Sequence, residues 1–424
     1  VIFFLGALIQ AGIGPRPALG EETASIVFLT WKPNQPEIWQ RLIKGFEARH
    51  PGIRVQVQVG PHSSTDYHAI LTQRLKNRDP SVDVFFMDVI WPPEFASAGW
   101  ALDLSSRFAA AEREPFLRGP VTALTYGGKI YGVPCYVAAG LLYYREDLLK
   151  KYHLSPPCSW EEMLEQGRTI RKGEGGSGLY IYSAQFKQYE GLVCNVLEFI
   201  RSNGGRVLDP ESGRGLLAEQ AVREAIAFVR DQIVGNASPL GVVNYEEPES
   251  LDLFLQGKAV FHRNWPYAWD VANDPGKSRV AGRVGVGALP AFPGKKPVST
   301  LGGWQFGISR WSRHQEDAWR FVRFMTSEGA QKTLAVEASL APARRAIYED
   351  PEVMEKKAHL KALLPALEAA RPRPLSPVYP MISQELQRFF SQAIVQKGFD
   401  YPGMAAKASE RIERLYRMGA SIKP

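Results

Sequence analysis

Apolar and polar positions follow a regular order in the first third of the chain, where continuous apolar runs alternate with stretches of helical period. The runs predict buried strands over residues 25–30, 53–59 and 82–87. Between the first two, Ile38, Ile43 and Phe46 recur on one helical face, and Pro36 suits the first turn of that helix. Residues 67–77 predict a second helix. This order of elements is typical of a parallel sheet with right-handed crossovers, so we predict an α/β fold.

Shorter strands and longer helices are predicted over the rest of the chain. The strands fall at residues 129–134, 141–144, 179–182, 259–262, 284–289 and 305–309. The helices fall at residues 95–104, 146–152, 160–170, 192–202, 219–232, 315–326, 329–335, 359–367, 382–396 and 402–417. Ser159 and Glu162 have the spacing of a capping box. Residues 173–178 have the glycine spacing of a dinucleotide fingerprint, but a helix precedes them and a strand follows, so they predict a loop.

Two features suggest a binding site. Asp88 directly follows the third predicted strand, and ligands in such sheets bind outside the carboxyl ends of the strands. Its alternative role is that of a turn or helix-cap residue. Residues 264–270, which we call the aromatic segment, hold Trp265, Tyr267 and Trp269 around Pro266. Aromatic faces on a rigid turn can stack on a sugar ring, although aromatic residues also dominate cores.

Length and charge narrow the function classes. A chain of 424 residues exceeds one comfortable core, so two domains are expected. The net charge of +7 is scattered, with small clusters at residues 344–345, 356–357 and 371–373 that we interpret as solvated surface and not as a nucleic-acid site. The three cysteines lack metal-ligand spacing, and we expect mostly free, buried thiols.

The N-terminus predicts export. Residues 1–14 form a short apolar run, and small residues follow before residue 21. This pattern is typical of a secretory signal peptide over residues 1–20. The run is too short for a confident membrane span, and no cysteine follows it to carry a lipid anchor. We therefore expect a periplasmic or otherwise extracytoplasmic protein.

The chain as a whole resembles the extracellular solute-binding proteins of sugar ABC importers, and within them the trehalose/maltose-binding branch. The resemblance covers essentially all of the mature chain and is most specific at residues 87–91, 140–145, 188–194, 263–269 and 300–304. It implies a two-lobe, maltose-binding-like periplasmic-binding-protein fold with a sugar in the cleft. The implied first lobe is 21–137 plus 303–346, and the second is 138–302 plus 347–424. Residues 138–140 and 302–303 are small, which suits a hinge, although tight packing is the alternative reason.

Carried over by position, the resemblance implies a set of ligand-binding residues. Asp88 would accept hydrogen bonds from two adjacent sugar hydroxyls, and Arg373 would donate to ring or hydroxyl oxygens. Trp265, Tyr267 and Trp304 would form stacking walls. The remaining candidates are Tyr136 and Gly303 near the hinge, Tyr189 on the second lobe, Gln35 and, less well matched, Arg344.

Three positions depart from the family pattern. Gln35 and Ala138 stand where the resemblance implies acids, and Tyr67 stands where it implies an arginine. Losing two acceptors would disfavour a sugar that relies on them, by about 1–3 kcal/mol for each unpaired hydroxyl. A sugar ligand is therefore expected, but one that differs from trehalose or maltose in its needs near the first hinge.

Two other function classes remain open. A glycosidase would also combine aromatic residues with carboxylates, but Glu190, Glu246 and Glu247 show no matched acid and nucleophile. The other alternative is a binding protein for a polyol or a glycerophosphodiester, and Arg344, Arg373 and the lost acids would suit the anionic headgroup of the latter. We predict a monomeric, non-catalytic protein without metal or cofactor, whose partners are a small-molecule ligand and the permease of an ABC importer with its ATPase.

Overall fold

The computed structural model describes residues 24–33, 35–176 and 178–422. The predicted signal peptide over residues 1–20 lies outside these ranges. The strands are β1 Ala24–Thr30, β2 Ile53–Val59, β3 Val84–Asp88, β4 Thr125–Tyr126, β5 Lys129–Ile130, β6 Val133–Ala139, β7 Leu141–Arg145, β8 Tyr180–Ser183, β9 Ala259–Asn264, β10 Val284–Gly287, β11 Leu301–Ile308 and β12 Ala341–Pro342.

Helices make up most of the remaining regular structure. The α-helices are α1 Pro36–Arg49, α2 Ser64–Lys76, α3 Pro92–Ser97, α4 Ala110–Arg113, α5 Arg118–Ala123, α6 Glu146–Lys151, α7 Trp160–Gly173, α8 Glu190–Ser202, α9 Gln220–Phe228, α10 Glu247–Leu255, α11 Ala268–Asn273, α12 Gln315–Met325, α13 Glu328–Ala338, α14 Pro351–Ala369, α15 Tyr379–Val395 and α16 Tyr401–Ser421. A π-helical turn extends α9 over Val229–Ile233, and 3-10 helices span Leu240–Asn244 and Arg345–Glu349. Helix α14 has non-helical backbone at Lys357, where two helical segments join.

The first lobe is built on a six-stranded sheet with the order β12-β6-β11-β3-β1-β2. Strand β1 pairs in parallel with β2 and β3, as the alternation of strands and helices predicted. Strand β11 runs antiparallel to β3 and places Trp304 opposite Asp88. On its other side β11 pairs with β6, which puts Gly302 opposite Ala138. The carboxyl end of β3 and the start of β11 therefore meet at one edge of the sheet.

The second lobe contains a four-stranded sheet with the order β10-β7-β9-β8 and a core that includes buried residues of α8, α15 and α16. The chain passes between the sheets at Gly140, where β6 ends and β7 begins, and returns between β10 and β11. It leaves again after α14, which packs mainly against α13, β6 and the 3-10 helix Arg345–Glu349 of the first lobe and also contacts β10. The two-lobe α/β architecture is thus as predicted, with three chain crossings, but the third follows α14 and does not lie at residue 347, where the resemblance placed it.

The three crossings lie side by side and are joined by α8. Glu198 accepts hydrogen bonds from Nε (2.9 Å) and Nη2 (2.7 Å) of Arg263 and from the backbone N–H of Thr300 (3.1 Å). A Cβ added at Gly140 would lie 2.0 Å from Oε1 of Glu198. Close packing against Glu198 is therefore sufficient reason for glycine at this position, with or without a hinge motion. At the third crossing, the backbone of Arg371 pairs with that of the second crossing.

Two helix starts differ from the sequence prediction. The helix expected over 95–104 begins at Pro92 and ends at Ser97, because proline lacks an N–H and therefore suits the first helical turn. At the start of α7, Ser159 accepts from the backbone N–H of Glu162 as predicted (3.1 Å). The Glu162 carboxylate accepts instead from the N–H of Cys158 (2.7 Å), one residue earlier than a capping box requires.

Strand limits and thiols differ in smaller ways. The strand predicted over 129–134 is divided into β5 and β6, and the strand predicted over 305–309 begins earlier, at Leu301. Cys135 and Cys194 are buried free thiols, as expected, whereas Cys158 is exposed. Across the described ranges, no helix is both long and apolar enough to cross a membrane.

Candidate functional site

A cavity lies where the two sheets face each other, at the edge marked by Asp88 and the start of β11. Its volume is 110 Å³, room for on the order of ten water molecules. The aromatic walls come from both lobes, and the same space contains acidic side chains. It is lined by Trp31, His62, Ser64, Asp88, Tyr136, Val137, Ala138, Glu190, Gly191, Cys194, Glu247, Trp265, Pro266, Tyr267, Gly302, Gly303, Trp304, Leu340, Ala341 and Arg373.

Most of the candidate residues line this cavity. They are Asp88, Tyr136, Trp265, Tyr267, Gly303, Trp304 and Arg373. Three others lie outside its lining. Tyr189 is buried behind it, Gln35 is at the start of α1 with its amide 3.4 Å from the Glu337 carbonyl, and Arg344 stacks on the Phe116 ring at 4.3 Å. Gly303 has φ +122, and a Cβ there would lie 2.5 Å from the Tyr136 carbonyl oxygen, so only glycine fits.

Arg373 joins the two lobes through an ionic bridge at the cavity. Its Nη2 donates to Oδ1 of Asp88 on the first sheet (2.6 Å), and its Nη1 donates to Oε1 of Glu190 at the start of α8 (2.9 Å). Tyr379 and Ser383 on α15 donate their hydroxyls to the same Glu190 carboxylate. Two carboxylates therefore share one guanidinium. The terminal nitrogens of Arg373, which were expected to donate to a ligand, already donate to Asp88 and Glu190.

Glu247 fixes the orientation of the Trp265 wall. Its Oε1 accepts from the indole Nε1 of Trp265 (3.1 Å), and its Oε2 accepts from the hydroxyl of Tyr189 (2.7 Å). The Arg263 guanidinium lies 3.9 Å from the centre of the Trp265 ring system, a cation–π contact. Because both the edge and one face of the indole have partners, Trp265 is held as a rigid wall. Tyr189 thus acts on the cavity through Glu247.

Sequence reasoning missed Trp31 and His62. The two residues follow β1 and β2, so they lie beyond the carboxyl ends of parallel strands, as Asp88 does after β3. Applying that rule to every strand would have found them. Trp31 packs against Trp304 with ring centroids 5.5 Å apart. Within the described part of the chain, the indole Nε1 of Trp31 and the Nδ1 of His62 are buried without a hydrogen-bond partner.

The described lining of the cavity is rich in carboxylates, and its one cysteine is not activated. Asp88, Glu190 and Glu247 bring three carboxylates against the single guanidinium of Arg373. Cys194 also lines it, but burial raises the pKa of its thiol to about 12, so it stays neutral. Among the described residues, no group of three or more His, Cys, Asp or Glu side chains could hold a metal ion. The arrangement is suited to stacking and hydrogen bonding.

Ala138 and Tyr67, two of the departures from the family pattern, lie in different places relative to the cavity. Ala138 lines the cavity, so an acid there would face the ligand space. Tyr67 is fully buried below the Trp304 wall, and its hydroxyl donates to the backbone carbonyl of Leu29 (2.9 Å). Tyr67 therefore supports the wall from behind and does not line the cavity.

Residues 32–332 match the family model described as "Bacterial extracellular solute-binding protein". The chain belongs to this family. As a bacterial extracellular solute-binding protein, it acts outside the cytoplasm, binds a small molecule and works with the permease components of an ABC transporter. The family is non-enzymatic, which agrees with the prediction that the chain is not an enzyme.

Three relatives of this solute-binding protein span nearly its whole length. A "Probable ABC transporter-binding protein" of Deinococcus radiodurans is 35% identical over 370 residues, 86% of each chain. A "Mannitol-binding protein" of Pseudomonas aeruginosa is 23% identical and is matched over 97% of this chain and 98% of its own. The solved structure "Maltose bound T. maritima MalE3" is 34% identical with a TM-score of 0.87, covering 92% of this chain and 100% of that one.

Proposed function

We propose that this solute-binding protein captures a neutral sugar, a disaccharide or a glycoside, between its lobes and delivers it to the permease of an ABC importer. The observation that carries the proposal is the combination of aromatic walls and carboxylates around one interlobe cavity. Trp265, Tyr267 and Trp304 present flat apolar faces, while Asp88 keeps acceptor capacity beside its bond to Arg373. Sugars need both kinds of contact, a C–H face to stack and hydroxyls to bind.

The charge of the cavity favours a neutral ligand over a phosphodiester. An anion would meet three carboxylates, and the single guanidinium in the lining is already shared by Asp88 and Glu190. Arg344, which would otherwise strengthen the case for an anionic headgroup, lies on Phe116 and outside the lining. The buried Trp31 Nε1 and His62 Nδ1 add polar groups that hydroxyls could satisfy.

A polyol is the second candidate. The mannitol-binding relative matches this chain over nearly its full length, and a cavity that holds on the order of ten water molecules is at the small end for a ligand site. A linear polyol also demands less stacking area than a disaccharide. We expect a sugar to bind more tightly, because several aromatic faces would otherwise lie unused.

Isothermal titration with maltose, trehalose, mannitol and glycerophosphocholine tests the proposal. We expect a sugar to bind most tightly and the phosphodiester not at all. Trp265→Ala should weaken sugar binding by at least a hundredfold. Trp269→Ala is the matched control, because Trp269 belongs to the same aromatic segment but stacks on His359 outside the lining. Preferred binding of the phosphodiester, or equal losses in both variants, would refute the proposal.

The departure at Ala138 gives a second arm of the same experiment. If residue 138 faces the ligand here as the corresponding acid does in the family, Ala138→Asp would restore an acceptor. The affinity for trehalose or maltose should then rise by about tenfold, the equivalent of 1.4 kcal/mol. An unchanged affinity would contradict that role for the position. Export by cleavage of residues 1–20 belongs to the same proposal and is tested by N-terminal sequencing of the secreted protein.

A further inference from the structure

A second cavity of 540 Å³ lies beside the third crossing, and we call it the rear cavity. Arg373 lines both this cavity and the ligand cavity, so the two are neighbours across one side chain. The lining combines the end of α8 and its following loop with the segment after α14. Its charged lining residues are Arg201, Arg206, Arg371 and Arg373.

The charge of the rear cavity is uniformly positive. Four arginines line it, and none of its described lining residues is acidic. Arg201, Arg206 and Arg371 form no ion pair with any carboxylate in the ranges that the structure describes, and only Arg373 has acidic partners. Lys295 adds a further ammonium at the edge, since a Cβ on Gly204 would lie 3.7 Å from its Nζ. Cations gathered without counter-charges repel one another.

Arg201 makes this imbalance costly because its guanidinium is partly buried among neutral groups. Its two terminal nitrogens donate to the backbone carbonyls of Arg371 (2.8 Å) and Pro372 (2.5 Å), which are neutral acceptors. Burial lowers the pKa of Arg201 to about 10, so its charge lacks full compensation. Glu198, one turn earlier on α8, is already engaged by Arg263 and the N–H of Thr300.

Other nearby negative groups are also engaged. Asp209 lies just after Leu208, which lines the rear cavity. Hydrogen bonds from Ser212, together with the charge of Arg206, lower the pKa of the Asp209 carboxyl. The last carbonyls of α8, which would oppose an anion, already accept hydrogen bonds from Asn203, Gly204, Gly205 and Phe292. The rear cavity therefore has spare donors and few free acceptors.

We propose that the rear cavity binds a small tetrahedral oxyanion of the phosphate or sulfate class between Arg206 on the second lobe and Arg371 on the third crossing. The guanidinium fork matches such oxyanions, and Arg201 adds positive charge behind them. The backbone of Arg371 bonds to Ser299 and Leu301 in the second crossing. A bound anion thus braces two of the three interlobe crossings against the second lobe.

Titration calorimetry of the full protein with inorganic phosphate tests the proposal, with sulfate as a second arm and sodium chloride holding the ionic strength constant. We expect saturable 1:1 binding of either anion. The double variant Arg206→Gln/Arg371→Gln should weaken it at least tenfold. Both side chains are exposed and unpaired in the described structure, so the fold should survive, which the melting temperature checks.

Arg313→Gln is the matched control, because Arg313 is an exposed arginine of the first lobe that lies outside the rear cavity. It should leave phosphate affinity unchanged. Absence of saturable binding at matched ionic strength would overturn the proposal. Binding that survives in the double variant, or that is lost equally in Arg313→Gln, would overturn it as well, because the anion would then be held elsewhere or only by net charge.

Discussion

At the residue scale, the bridge from Asp88 through Arg373 to Glu190 dominates the site. Arg373 lies 285 residues from Asp88 and 183 from Glu190 in sequence, yet all three side chains are buried together. Taking such charges out of water costs several kcal/mol per ion, and the bonds between them offset that cost only while every partner is present. Removing Arg373 alone should therefore destabilise the fold more than replacing all three charged residues together.

We expect Arg373→Met to lower the free energy of unfolding by about 3–5 kcal/mol, because two buried carboxylates lose their counter-charge. The triple variant Arg373→Met/Asp88→Asn/Glu190→Gln should recover most of that loss. Urea unfolding followed by circular dichroism measures both. An Arg373→Met protein as stable as the wild type, or a triple variant less stable than the single one, would show that the bridge does not contribute in this way.

The sequence allowed some of these residues to be predicted and not others. Asp88 follows from its place at the end of a strand, a local property. Trp31 and His62 also lie just beyond the ends of strands, and the same rule predicts them when it is applied to β1 and β2. The Arg373–Glu190 pair joins segments 183 residues apart, and the Glu247–Trp265 hydrogen bond joins residues 18 apart across a turn of the chain. Neither contact produces a periodic pattern in the sequence. The sequence thus identified lining residues better than their partners.

At the element scale, β9 contains three consecutive buried polar residues. Arg263 bonds Glu198, and Asn264 accepts from the backbone N–H of Trp265 (2.8 Å). His262 Nδ1 donates to the carbonyl of Ser183 (3.1 Å), and its Nε2 accepts from the Asn264 amide (2.9 Å). This pattern needs the neutral imidazole, since a proton on Nε2 would face the amide N–H. Burial accordingly lowers the pKa of His262 to about 3.

Stability should therefore fall with acid. The pKa of His262 is about 6.5 in the unfolded chain and about 3 in the folded one, so the unfolded state binds more protons between these values. The free energy of unfolding should drop as pH falls below about 6.5, by up to about 1.4 kcal/mol per pH unit for this residue. Chemical unfolding between pH 7 and pH 5 should show a shallower slope in His262→Gln. Equal slopes in the two proteins would contradict this account.

Elements were predictable where their pattern was long or strongly apolar. Strands β1, β2 and β3 and their parallel order follow from apolar runs separated by helical periods. Strand β12 spans only Ala341–Pro342 and has no pattern of its own, because its pairing to β6 depends on the rest of the sheet. Helix α3 begins three residues before the predicted residue 95, because Pro92 and Pro93 form its first turn, where the missing N–H of proline costs no hydrogen bond.

At the scale of the whole molecule, the lobes are joined by three adjacent crossings, and the cavity draws its lining from both. We expect saturating ligand to reduce the radius of gyration in small-angle X-ray scattering, because contacts to both lobes favour their closure. Trp265→Ala at the same ligand concentration should show no contraction. Identical scattering of the wild type with and without a ligand that binds by calorimetry would exclude hinge closure.

The order of strands in the first sheet also has a consequence for how the molecule is made. Strand β11 lies between β6 and β3 in this sheet but spans Leu301–Ile308, and the edge strand β12 ends at Pro342. The sheet therefore cannot form completely until most of the chain has been synthesised. Pairings between distant segments slow folding. For a protein that acts outside the cytoplasm, we therefore expect the first sheet to remain unformed while the chain is still being synthesised.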